Sequence, residues 1–182
     1  MRKFPAIVLS MILLAGCSTK GAQTQSSITA YEGYYKSIED NERFLDASDY
    51  YSISAEMTAL SDGTYRYYIF LDDAQIAMYD VVMMAVESDT NYTENSSMMP
   101  SIGVFEKNEY SLIPYQSRTE KGYVKGIVIS GESAVPEVDL KLLVEWRDKS
   151  KENLHREYLA FTLNESGYES RAGIASEEDN NG

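Results

Sequence analysis

The 182-residue sequence holds one cysteine, one histidine, one tryptophan and four prolines. A single cysteine excludes an internal disulfide framework, so the domain has to be held together by its core. Basic residues are also few, with 16 Lys and Arg against 29 Asp and Glu. Such a surface lacks the positive patches that nucleic acid and anionic headgroups require, and no nucleic-acid partner is expected. The apolar run Phe4 to Ala15, broken by Pro5 and Ser10, is too short for a spanning helix.

That run is flanked in an informative way. Met1-Arg2-Lys3 precedes it as a short positive segment, and the small residues Ala15 and Gly16 follow it directly before Cys17. The three parts in that order define a secretory signal. Leu14-Ala15-Gly16-Cys17 resembles the lipobox of bacterial lipoproteins. The resemblance implies that the Cys17 thiol takes a diacylglyceryl group, that residues 1–16 are removed, and that Cys17 becomes the first residue. Two acyl chains anchor a protein where one is marginal, at about 0.8 kcal/mol per buried CH₂. The resemblance covers this segment only. The chain as a whole resembles the small surface lipoproteins of Gram-positive bacteria, which implies the outer face of the cytoplasmic membrane. In a Gram-negative cell, Ser18 in place of an aspartate would permit the outer membrane. Loss of Arg2 and Lys3 with the signal leaves 14 basic residues and a formal charge of −15.

Residues 17–27 form a polar stretch expected to be a flexible tether. Extended, residues 18–27 reach at most about 33–36 Å, so the domain works close to the membrane. Tyr31, Tyr34, Tyr35 and Ile38 recur at helical spacing and predict a helix within residues 28–44, with Gly33 working against it by about 1 kcal/mol. The period then changes to two. Tyr51, Ile53, Ala55, Met57 and Ala59 alternate with polar residues, Asp62-Gly63 supplies a hairpin turn, and residues 65–71 return with aromatics on both faces, as in a central strand. An apolar strand run follows over 76–86, interrupted by Asp80. Weak strands are expected over 98–105 and 109–113, and a clear one over 122–129, in which Gly126 marks a bulge or a close backbone approach. Val138, Leu140, Leu142, Val144 and Trp146 line one face of a strand whose other face is charged. A last strand over 154–163 completes a second hairpin. Residues 164–182, acidic and rich in Gly, Ser and Asn, are expected to be disordered. The fold class is therefore mainly β: an antiparallel β-sandwich over 28–163, loosely immunoglobulin-like, with one N-terminal helical segment.

Chemical motifs are scarce. His155 sits on a strand beside Arg156 and Glu157, and no Gly-x-Ser-x-Gly elbow surrounds any serine; the lipobox resemblance implies that Cys17 is consumed by lipid. No catalytic residue and no cofactor are expected. Asp72, Asp73, Glu87 and Asp89 could hold Ca²⁺ only if their loops converge, and the EF-hand spacing is absent, so no metal site is expected. Met78, Met83, Met84, Met98 and Met99 could offer thioethers to Cu(I), but fit core filling better. Fifteen tyrosines favour recognition surfaces as well as strands. The expectation is a non-enzymatic binding module of the cell envelope with an envelope protein as partner. The alternative is a solute- or glycan-binding lipoprotein, marked by a concave, aromatic-lined pocket.

Overall fold

The computed structural model describes residues 19–88, 98–106 and 110–170, with helix side chains from Gln25. Cys17 and residues 1–16, the sites of the expected anchor and signal, lie outside the described residues. Helix α1 spans Thr19–Glu39. Strands β1 Ser52–Ala59, β2 Tyr65–Asp72, β3 Tyr79–Glu87, β4 Ser101–Ile102 and β5 Ser111–Leu112 follow. After them come β6 Tyr123–Val124, β7 Ile127–Ser133, β8 Glu137–Arg147, β9 Leu154–Asn164 and β10 Gly167–Ser170. The fold is mainly β, as its alternating patterns predict. One sheet has the order β1-β2-β7 and a second the order β10-β9-β8-β3-β4, both antiparallel throughout; β5 and β6 form a small parallel pair. The two larger sheets enclose one core, and α1 covers the far side of the five-stranded sheet.

Period-two patterning builds the first core. Tyr67, Ile69 and Leu71 of β2 are fully buried and meet Leu140, Leu142, Val144 and Trp146 of β8. The hairpin turn forms at Asp62-Gly63, where the Asp62 carboxylate accepts hydrogen bonds from the Thr64 amide at 3.1 Å and hydroxyl at 2.7 Å. β2 is the central strand of its sheet. Its outward Tyr68 and Phe70 stack at 6.3 Å and are half-buried, with no further layer over them among the described residues. In β3, Asp80 takes a φ of 53° at a register shift between Tyr79 and Val82. Beyond this bulge the strand is buried on both faces: Val81, Met83 and Ala85 enter the core between the sheets, and Val82, Met84 and Val86 enter the core beneath α1.

Several boundaries differ from expectation. The helix begins at Thr19, inside the stretch expected to be a flexible tether. Its packed turns, with Tyr31, Tyr35 and Ile38 buried on Val82, Met84 and Leu143, supply the nucleus. Residues upstream then each add one hydrogen bond to an existing helix. It ends at Glu39, short of residue 44. The strand expected over 122–129 is two strands, β6 and β7. They break at Gly126, where a Cβ would lie 3.1 Å from the Leu71 carbonyl oxygen, so the close approach is real and the bulge reading is not needed. The charged face of β8 is not a solvent face: Leu143 and Glu145 lie buried beneath α1. Finally, residues 164–170 are not a disordered tail. An Asx turn, with the Ser166 amide donating to Asn164 Oδ1 at 2.9 Å, reverses the chain into β10. There Tyr168 packs on Phe161 at 5.4 Å and its hydroxyl donates to the Ile53 carbonyl at 2.8 Å. Residues 171–182 lie outside the described residues.

Candidate functional site

A cleft of about 500 Å³ opens at the end of the sandwich where β2 gives way to β3. The β2–β3 connection, the turn after β5 and the end of β6 build it. β5 is fastened to the core by reciprocal backbone hydrogen bonds between Met78 and Leu112, at 2.8 and 2.9 Å. The turn that follows therefore stands on a fixed base. In that turn the Gln116 amide donates to the Ile113 carbonyl at 3.0 Å, Pro114 occupies the second position, and Tyr115 the third with a φ of 61°. A turn with proline second and a positive φ third is of type II, and its third position favours glycine or asparagine. A tyrosine there is strained by about 1–2 kcal/mol. Tyr115 is also fully exposed, so packing does not offset the strain.

Asp73, which also lines the cleft, has a φ of 47°. Gln75 braces it: the side-chain amide donates to the Asp73 carbonyl at 2.7 Å, and the Gln75 backbone amide donates to the Tyr50 carbonyl at 2.7 Å. Leu112, Ile113 and Val124 give the cleft an apolar floor, and Asp73, Gln75, Gln116, Ser117 and Lys125 a polar rim. Its size falls within the range of roughly 300–1,000 Å³ usual for small-ligand sites.

A smaller hollow of about 290 Å³ lies at the other end of β2. Inside it the Tyr67 hydroxyl donates to Glu87 Oε1 at 2.9 Å. Gly131 makes this possible, because a Cβ there would lie 2.3 Å from the Tyr67 hydroxyl. Burial raises the Glu87 carboxyl above its ordinary value, partly opposed by the Tyr67 hydrogen bond. Burial and the facing carboxylate push the Tyr67 phenol far up. Folded Glu87 thus holds its proton more tightly than the unfolded chain does. Its contribution to stability is fully present below the ordinary value of 4.5 and is lost as pH rises through the raised value. Glu87→Gln, which still accepts from Tyr67, is expected to gain stability relative to the parent protein on going from about pH 4 to about pH 7. Urea denaturation at both pH values checks this; an equal difference at the two would contradict it.

The residues singled out from sequence are dispersed. Asp72 and Asp73 lie at one end of the sandwich and Glu87 at the other, so the acidic loops do not converge; Asp89 falls outside the described residues. No group of three or more His, Cys, Asp or Glu able to hold a metal occurs among the described residues. Met78 and Met83 enter the core between the sheets and Met84 and Met99 the core beneath α1, while Met98 is 61% exposed; four fill cores, Met98 does not, and the five are not brought together. His155 stacks on Trp146 at 5.3 Å and is exposed. The tyrosine stripe of α1 packs on the domain itself, and of the described tyrosines only Tyr50, Tyr115 and Tyr168 are exposed. Two features escaped the sequence reading. One is Tyr115, whose signal was a Pro-Tyr pair where a turn favours Pro-Gly. The other is the trio Tyr34, Glu145 and Arg156, built around the buried Glu145, which nothing local marks.

Among the described residues no helix is long and apolar enough to cross a membrane. Comparison with protein-family models, curated proteins and solved structures finds no match to this chain.

Proposed function

We propose that this chain is an extracytoplasmic lipoprotein, anchored to the cell membrane by a diacylglyceryl group on Cys17, that acts as a non-enzymatic binding module. The lipobox-like Leu14-Ala15-Gly16-Cys17 supports the anchor. The observation that carries the binding reading is the open cleft of about 500 Å³, with a strained, fully exposed tyrosine on one wall. That geometry favours a ligand over a flat protein contact. The acidic mature chain argues against a nucleic-acid partner. Because α1 begins two residues beyond Cys17 and packs on the sheet from Tyr31 onward, the domain stands on a short helical stalk. From Thr19 to Tyr31 this stalk rises about 18 Å.

One observation favours a second reading, an envelope protein as partner. The Tyr68–Phe70 stack on the uncovered face of the three-stranded sheet, beside exposed Val128, offers apolar area to another protein. The two readings separate on whether changes at Tyr115 or at Phe70 abolish capture on intact cells. For the anchor, Cys17→Ala is expected to release the protein into the medium or leave it unprocessed. Fractionation checks this, and full membrane retention of the mutant would contradict the lipoprotein assignment.

A further inference from the structure

We infer that the Tyr115 cleft binds an uncharged sugar ring of a glycan, an assignment that rests on the domain being a binding module. Tyr115 is the starting point. It stands in a left-handed conformation that glycine would adopt freely, and its ring touches solvent on all sides. Neither the turn nor the core requires a tyrosine there, so what the side chain provides is a rigid, amphipathic ring held out beside a cleft. Position and strain together follow the pattern of sites where unfavourable backbone is kept for recognition.

The rest of the lining narrows the ligand. A sugar ring has an apolar C–H face and a girdle of hydroxyls, each both donor and acceptor. The face stacks on a tyrosine ring. The girdle requires donors and acceptors arranged around an apolar floor, and the cleft has them: the Asp73 carboxylate, the Gln75 and Gln116 amides and the Ser117 hydroxyl. Planar amides and carboxylates can grip two neighbouring hydroxyls at once. Charge narrows it further. One carboxylate and one ammonium, Asp73 and Lys125, leave the rim neutral. The mature chain around it carries a formal −15, which repels polyanionic glycans. A peptide is a poorer fit. The strands at the cleft, β5 and β6, are two residues each, too short for an added strand to pair along.

The test uses the mature chain with Cys17→Ala, titrated with uncharged gluco-, galacto-, manno- and N-acetylhexosamine oligosaccharides by calorimetry. At least one is expected to bind. Tyr115→Ala should weaken that binding tenfold or more, and Tyr115→Phe should stay within about threefold of the parent. Tyr115→Gly separates function from folding: it should lose binding as alanine does, yet raise Tm by about 3 °C through relief of strain. Lower stability of Tyr115→Gly would overturn the strain argument. Absence of any Tyr115-dependent neutral saccharide would overturn the sugar assignment. A Tyr115-dependent peptide or anionic glycan found in parallel screens would overturn the sugar and keep the binding module. No Tyr115-dependent ligand of any class would overturn both the sugar assignment and the cleft as the binding site, leaving only the Phe70 face.

Discussion

Trp146→Ala is expected to destabilise the domain by about 3–5 kcal/mol, the range for removing a fully buried large aromatic. Trp146 is the bulkiest side chain in the core and is 1% exposed. The rings of Tyr50 and Tyr51 meet it edge-on, both at 5.8 Å, and His155 covers it in a stacked arrangement. Among the described residues its indole N–H has no hydrogen-bond partner. Its contribution is therefore packing, and Trp146→Phe should recover a large part of the loss. Denaturation followed by circular dichroism measures both variants. A cost below about 1 kcal/mol for alanine would mean that the aromatic cluster is not the pillar described here. His155→Ala, which removes only the exposed cover, should cost less than about 1.5 kcal/mol.

Arg156→Ala is expected to cost about 2–3 kcal/mol and to loosen α1 from the sheet. Glu145 is 6% exposed in the face of β8 beneath the helix. Its Oε1 accepts from the Tyr34 hydroxyl at 2.7 Å; its Oε2 accepts from Arg156 Nε at 2.9 Å and from a second guanidinium nitrogen. The guanidinium also lies 5.7 Å from the centre of the Tyr34 ring. Without Arg156 the carboxylate stays buried with one donor, and a buried charge stripped of its partner is costly. Arg156 itself is 37% exposed at the side chain, so solvent screening keeps the figure below the 3–5 kcal/mol of a fully buried pair. Replacing Glu145 and Arg156 together by leucine should restore most of the loss, because no unpaired charge remains. The readouts are urea midpoint and protease cutting between α1 and β1. Arg156→Ala within about 0.5 kcal/mol of the parent protein would show that the trio does not hold the helix.

Much of the sandwich was legible because a half-buried strand imposes a period of two. Val138 to Trp146 and Tyr51 to Met57 write that period plainly and face the core as it predicts, while Ala59 at the strand end is exposed. What the pattern hid is where the third layer lands. Leu143 and Glu145 share a strand face with Asp139 and Lys141, and only the tertiary approach of α1 decides which of these are covered. The same approach explains the tether: the polar residues from Thr19 onward have little helix preference, yet they extend a helix that Tyr31, Tyr35 and Ile38 nucleate by packing. β10 was hidden by composition, since Asn164-Glu165-Ser166-Gly167 reads equally as a loose tail or as the turn of a hairpin. The site was the least legible part. Tyr115 carries no motif; its meaning comes from a backbone angle and from complete exposure, and neither is written in the residues around it.

The measurement that bears most directly on the account is the intact mass of the protein extracted from cell membranes, with its N-terminus sequenced after deacylation. The account predicts a chain that begins at Cys17 and carries the added mass of a diacylglyceryl group. A chain that keeps residues 1–16, or one with an unmodified Cys17 recovered from the medium, would contradict it.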